Sequence, residues 1–391
     1  MPQLVERRGI RIGFIAAFAV LLAALVELCS FGAGRVLQSR FKMYSAPVMQ
    51  PAAAVKTYGE YLALRDQRLG WPSTAADTTG AYDAAGARPS PAFPDPRASA
   101  DRIAVFGDSY AAGSEVDDTA AWGNQLALRA GARVGNFGVP GYGTDQAYMR
   151  YLARTADPAP VVILTHLSEG IVRNLTRNWD LITHASHYAM KPRFVLDDRG
   201  GLVEVPLMAV SESEYRRSVG LDAPFLPIPD ENFQPGGAAG VTDLAFPYSI
   251  AVLRNMAGYQ MRSLFARRPD FATFYQRGHA LRGLEISTAI VQAFQQTARA
   301  RGQTPLVVLF ATRHDLGHHR KTGKFPYENL VDDLNRLRID HLDFGPILAR
   351  HVGDGHIPGF FMPLGHYNAA VNTLLAESVF ASLQARGALS R

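Results

Sequence analysis

The chain reads as an α/β protein: a parallel sheet with helices on both faces, of the three-layer α/β/α, flavodoxin-like kind. Three observations predict this. Short, wholly apolar runs recur at residues 103–106, 160–165 and 305–311, as expected of strands buried on both faces. Helix-compatible segments separate them, which is the rhythm of a parallel sheet. The first run ends abruptly in Gly107-Asp108-Ser109. Such a turn delivers a serine to the carboxyl edge of a sheet, where ligands and catalytic groups collect in open α/β folds.

In chain order, the first element is an apolar stretch at residues 12–34, broken only by Glu27. At about 1.5 Å per residue it is long enough for a hydrocarbon core of about 30 Å. Arg7, Arg8 and Arg11 precede it, and Arg35, Arg40 and Lys42 follow, so flanking charge orients it weakly. The short leading tail favours a cytoplasmic N-terminus. The expectation is a single pass through the inner membrane with the rest of the chain exported, Glu27 sitting at the outer interface. A cleaved leader is the competing reading, although Leu28 before Cys29 does not suit a lipoprotein cleavage box.

Residues 36–70 read as an amphipathic helix. Residues 71–100 are rich in Pro, Ala, Gly, Ser and Asp, a linker or an extended wrapping segment. The domain boundaries expected are therefore 1–35 for tail and anchor, 36–100 for the linker, and 101–391 for the main domain. Within the last, strands are expected at 103–106, 133–137, 160–165 and 305–311, and helices at 120–129, 146–155, 284–300 and 368–383. Residues 176–280 break the rhythm. They read as an insertion containing a hairpin that turns at Asp198 to Gly201, a loop over 224–240 and a helix over 250–265, with part of it covering the site.

Composition narrows the function classes. Hydrophobic residues make up 47% of the 391 positions and the formal net charge is +5. The Lys and Arg residues are scattered without a basic block, so nucleic acid is not an expected partner. One cysteine, Cys29, allows no internal disulfide. His314 and His318 have helical i, i+4 spacing next to His319, but no third ligand is evident, and a solvated loop is the expectation rather than a metal site. His184 and His187 lie in the insertion with the same ambiguity. Glu169 and Arg173 are spaced as a helix ion pair.

Ser109 at a strand end, a glycine-rich turn at residues 138–144 and His366 ahead of the last helix together suggest a nucleophile, an oxyanion-binding turn and a general base. Ser109 also suits a helix cap. Asp108 is expected to bond the backbone that holds the serine turn.

These blocks resemble those of the SGNH/GDSL hydrolase family. Gly107-Asp108-Ser109-Tyr110 resembles the first block, with Ser109 as nucleophile. Asn136 to Thr144 resembles the second, where Gly141 would offer its N–H to the oxyanion. Gly365 to Asn372 resembles the last, with His366 as base. The resemblance spans residues 100–175 and 284–385 and implies an ester hydrolase or O-acyltransferase that needs neither metal nor organic cofactor. Its substrate would be an acylated small molecule or carbohydrate. Its layout is similar to that of membrane-tethered members such as polysaccharide O-acetyltransferase-type proteins, with membrane lipid as a partner through the N-terminal helix.

Two positions depart from the family pattern. The third block's oxyanion asparagine is replaced by Gly170, leaving Asn174 or Ser168 to compensate. The aspartate three residues before the histidine is replaced by Pro363, leaving Asp354 or a backbone carbonyl to orient His366. These departures sustain an alternative, a catalytically impaired SGNH-fold binding module anchored to the membrane.

Overall fold

The computed structural model describes residues 2–41, 57–72, 80–95, 100–154, 159–183, 189–218, 226–240, 244–256 and 258–389. Helix α1 (Pro2–Phe41) comes first, then α2 (Tyr58–Ala63). Much of the helix expected over 36–70, parts of the 71–100 segment, His184 and His187 lie outside the described residues. The chain forms two compact units. One comprises residues 1–47 with 232–266. The other comprises 48–231 with 267–391. The insertion is therefore shared between them.

The larger unit is built on a five-stranded parallel sheet. Its strands are β1 (Ile103–Phe106), β2 (Val134–Asn136), β3 (Val161–Leu167), β6 (Thr304–Phe310) and β7 (His341–Asp343). An antiparallel hairpin, β4 (Arg193–Leu196) and β5 (Leu202–Val205), falls between β3 and β6 in the chain. The sheet order is β2-β1-β3-β6-β7. With the hairpin set aside this is the doubly wound flavodoxin-type order, the α/β/α architecture expected. Every residue of β1, β2 and β3 is buried, which explains why β1 and the first four residues of β3 are unbroken apolar runs.

The helices follow in order. After β1 come α3 (Ser109–Ala112) and α4 (Trp122–Ala130), then α5 (Thr144–Ala153) after β2. The insertion holds α6 (Asp180–Thr183), α7 (Glu212–Ser218), α8 (Tyr248–Met256) and α9 (Tyr259–Phe265). The fold closes with α10 (Gly283–Ala300), α11 (Arg313–Thr322), α12 (Glu328–Arg336), α13 (Phe344–Val352) and α14 (Ala369–Ala385). Helices α5 and α10 pack together on one face of the sheet, and α4, α13 and α14 on the other. On the second face Trp122, Leu126, Leu348, Leu375 and Val379 close a core with Ile103, Val105 and Val308.

Three elements differ from the sequence reading. The segment expected as one helix over 250–265 is two helices, the second opening at Gly258. His314, His318 and His319 lie on α11 rather than in a loop. Strand β7 escaped notice because His-Leu-Asp is short and half polar, as suits an edge strand. Among the described residues no group of three or more His, Cys, Asp or Glu side chains converges as a metal site.

The turn-rich segment before β1 wraps the sheet rather than linking past it. Arg133, 2% exposed, precedes β2 and donates to Asp101 Oδ1 and Asp83 Oδ2, each at 2.6 Å, and to the Phe93 carbonyl at 3.0 Å. A buried guanidinium survives only when its donors are met, and here two carboxylates and a carbonyl meet them. Arg133→Ala is expected to cost about 3–5 kcal/mol, because it strands two carboxylates. Chemical denaturation of the parent and the variant checks this, and equal stabilities would contradict it.

Candidate active site

Gly107 ends β1, and a Cβ there would fall 1.9 Å from Thr165 Oγ1 and 2.5 Å from Ala111 Cβ. Only glycine lets the chain pass so close to β3 and turn into α3. Ser109 is the first residue of α3 and is buried, 6% exposed. Asp108 caps the helix: its carboxylate accepts from Tyr110 N at 2.9 Å and Ala111 N at 3.3 Å. The capping is therefore done by Asp108, which leaves the Ser109 hydroxyl uncommitted to it.

The turn after β2 is pressed against this helix. Asn136 donates through Nδ2 to the Ala111 carbonyl at 2.7 Å and accepts from Gly138 N at 3.1 Å. A Cβ on Gly138 would sit 2.4 Å from Ala112 N, so the two turns touch backbone to backbone. Of the three glycines in this turn only Gly141 needs the left-handed region, with φ of 87°. Trp71 and Trp179 flank it, at 3.2 and 3.4 Å from where its Cβ would be. Trp179 belongs to the insertion, so part of the insertion borders this turn. Neither Ser109 N–H nor Gly141 N–H has a hydrogen-bond partner among the described residues. Donors held for an oxyanion are left free in this way.

His366 lies in a tight turn before α14, where Met362 N donates to the His366 carbonyl at 2.7 Å. Tyr110, the neighbour of Ser109, donates its hydroxyl to the Gly365 carbonyl at 2.6 Å, and its ring lies 5.1 Å from the His366 ring. The serine helix and the histidine turn are thus joined directly. Among the described residues no hydrogen bond links Ser109 to His366.

The acid that grips His366 is Glu115. Its Oε2 accepts from His366 Nδ1 at 2.6 Å and from His366 N at 3.2 Å, and its Oε1 accepts from Leu364 N at 2.9 Å. Asp354, expected in this role, is exposed beyond the end of α13 and makes no bond to the ring. The path from Gly353 to the histidine is taken up by a short 3₁₀ helix (Ile357–Phe360) and the turn at 362–365, which carry His366 away from it. Sequence reasoning missed Glu115 because it looked upstream of the histidine. The usable signal lay downstream of the serine, in a carboxylate six positions on.

Glu115 is held in an unusual conformation, with φ of 68°, a region that non-glycine residues avoid and that clusters at functional sites. Arg88 secures the turn. It donates to the carbonyls of Ala112, Gly113 and Val116 at 2.7, 2.5 and 2.6 Å, and to Asp118 Oδ1 at 2.8 Å. Burial works to raise the Glu115 pKa, but the hydrogen bonds from Leu364 N and from His366 outweigh it, and the carboxyl lies below its ordinary value. The carboxylate is then an acceptor only, so His366 Nδ1 must carry a proton, and in the neutral imidazole Nε2 is the acceptor.

Asn174 does not supply an oxyanion donor. It is fully buried; its Oδ1 accepts from Asp145 N at 3.1 Å and its Nδ2 donates to Ser287 Oγ at 3.1 Å. Ser168 is also committed, its hydroxyl donating to Asp315. Burial pushes Asp315 up to about 7 against hydrogen bonds from Ser168 and Thr312. Next to it His166, pushed down to about 4 by burial, bonds Thr144 and Tyr275. These groups brace the carboxyl ends of β3 and β6. Gly170 lines a small hollow shared with Asp108 and Tyr142. The side chain that reaches Asp108 there is Arg173, which donates to Asp108 Oδ2 at 3.2 Å and to the Tyr142 carbonyl at 3.1 Å, and lies 3.9 Å from Glu169 in the expected i, i+4 pair.

No model of a protein family matches the chain, and no curated protein matches it. Solved structures do resemble it. One, described as a lipolytic protein of the G-D-S-L family from Desulfitobacterium hafniense DCB-2, is 13% identical and covers 72% of this chain and 98% of its own, with a TM-score of 0.35. A protein from Lactobacillus plantarum is 13% identical over 73% of this chain and 98% of its own, with a TM-score of 0.36. TesA is 13% identical over 72% and 98%, with a TM-score of 0.35. Likenesses this distant do not settle the chemistry of this site.

The lowered pKa of Glu115 sets a sign for pH dependence. An unfolded glutamate titrates near about 4.3. The stability that the latch contributes is present above that value and is lost as pH falls through the lower folded value. The gap in thermal midpoint between the parent and Glu115→Gln is expected to be widest above about pH 5 and to close on acidification through the ordinary carboxylate range. A gap independent of pH would contradict it.

Proposed function

We propose that this chain is a serine-dependent ester hydrolase or O-acyltransferase in which Ser109 is the nucleophile, His366 the general base and Glu115 the orienting acid. The observation that carries this reading is the 2.6 Å bond from His366 Nδ1 to Glu115, which leaves Nε2 as an acceptor in a turn tied to the serine helix. Ser109 Oγ attacks an acyl carbonyl as His366 Nε2 takes its proton. The backbone N–H groups of Ser109 and Gly141 receive the oxyanion. Collapse expels the alcohol, which takes the proton from His366. Water then releases the acid, or a sugar hydroxyl accepts the acyl group. This chemistry calls for no metal or organic cofactor. The reading includes an N-terminal helix retained as a single-pass inner-membrane anchor, a catalytic unit on the exported side, and an exported ester or acylated carbohydrate as substrate.

A fluorophosphonate probe on the full-length protein in detergent tests the reading. Labelling is expected in the parent and absent in Ser109→Ala. Esterase turnover on a small activated ester should fall by about 10²-fold or more in Glu115→Gln, since the charge that stabilises the imidazolium is lost. Asp354→Asn should keep turnover near the parent's. Labelling that persists in Ser109→Ala would remove Ser109 as nucleophile, and no labelling of the parent would favour the binding-module alternative.

A further inference from the structure

We propose that residues 244–256 and 258–265 of the insertion form a second membrane-inserted element, docked on α1 and facing the lipid acyl chains. The proposal rests on the reading of α1 as a retained membrane span and goes beyond it. Residues 13–39 of α1 are long and apolar enough to cross a bilayer. A carboxylate inside such a stretch is costly unless something satisfies it. Glu27 is satisfied by the insertion. Its Oε2 accepts from Tyr248 N at 2.6 Å, and its Oε1 accepts from the Ser249 hydroxyl. It therefore caps α8, supplying a negative charge where a helix N-terminus exposes N–H groups. The sequence places Glu27 at the outer interface, where a carboxylate costs little; the fold also gives it a partner.

The contact continues along one stripe of α1. Phe31, four residues on, lies 5.0 Å from Tyr248, ring to ring. At Gly34, three further on, a Cβ would come 2.4 Å from Leu244 Cδ1, so the absent side chain is what admits Leu244. Leu37, three beyond that, packs with Leu244 and Val252 around buried Met261. Steps of four and three residues keep one helix face in register. A leader removed by cleavage would leave Tyr248, Leu244 and Met261 without this face.

The other sides of α8 and α9 are apolar and bare. Phe246, Leu253 and Phe265 are 72%, 68% and 67% exposed, as open as Phe14, Ile15 and Leu28 of the span at 75%, 69% and 67%. Ile250, Met256 and Leu264 extend the exposure. Exposed apolar side chains on this scale mark a surface made for a partner. That partner is lipid, because these side chains belong to the same compact unit as the apolar span and dock on its C-terminal half. Charge agrees: residues 244–266 contain Arg254 and Arg262 and no Asp or Glu, the composition of helices lying in an anionic membrane interface.

The test uses the full-length protein with Cys29→Ser, reconstituted into phosphatidylcholine–phosphatidylglycerol vesicles. Single cysteines replace Leu253, Phe265, Val20 of the span, or Leu128, which is exposed on α4 of the sheet-bearing unit. Each carries an environment-sensitive fluorophore. Positions 253 and 265 are expected to match position 20, with blue-shifted emission quenched by chain-labelled lipid, while position 128 is quenched by aqueous iodide. Aqueous behaviour at 253 and 265 with lipid quenching at 20 overturns this proposal and leaves the span intact. Aqueous behaviour at 20 as well overturns the span and the proposal with it. Shielding of 253 from both quenchers assigns the face to a protein and overturns lipid as the occupant. Glu27→Leu should lower lipid quenching at 253 and leave position 20 unchanged; unchanged quenching at 253 removes Glu27 as the clamp.

Discussion

The site depends on one carboxylate. Glu115 joins two loops 251 positions apart in sequence, one carrying the serine and the other the histidine. Three hydrogen bonds converge on it. Bonds to a charged group contribute about 1.5–3 kcal/mol each where water is limited, and the side chains of His366 and Glu115 are only 18% and 14% exposed. The strained backbone of Glu115 is thus offset locally, and Arg88 spends four hydrogen bonds keeping the strained turn in place. With the histidine latched from the serine's own loop, a shift of that loop moves Ser109 and His366 together.

Around this latch the polar interior has been reassigned. Asn174 and Ser168, the two polar side chains the sequence offered in place of Gly170, serve the scaffold, bonding Asp145, Ser287 and Asp315. Lys191 of the insertion is buried and donates to Asp145 at 2.6 Å and to the carbonyls of Arg173 and Thr176 at 2.9 and 3.2 Å. The insertion therefore fixes the turn that follows β3. Under the proposed reading, what remains to meet developing negative charge is backbone, the N–H groups of Ser109 and Gly141. Main-chain donors on a rigid sheet edge need little reorganisation when charge appears, which is the property electrostatic catalysis exploits.

The insertion has two different jobs in the two compact units. Its first part supplies Trp179 beside Gly141 and Lys191 behind the site. Its later part caps and covers one stripe of the N-terminal helix. A single excursion from the α/β rhythm thus serves both the Ser109 edge of the sheet and the apolar helix.

Local pattern was enough for much of this protein. Apolar runs located three of the five core strands, because a strand buried on both faces is mostly apolar, and a fourth was read at 133–137. The strand order then follows the doubly wound pattern that such a rhythm allows. Ser109 and His366 were legible because each stands at the end of a recognisable element, and Asp108 as the cap because capping is local. The hairpin at 193–205 was legible from its turn. Other features were decided only by the tertiary structure. Glu115 was hidden because a carboxylate's partner is set by the path of two distant loops. Asn174 looked available in sequence and is spent because a side chain's free donors depend on what packs against it. Glu27 read as a charge at the outer interface of the membrane, whereas it caps a helix 221 residues away. Sequence fixes what each short segment prefers, through periodicity and caps that act within a few residues. Which polar groups find each other across hundreds of residues is decided by the fold, since only there are they desolvated together.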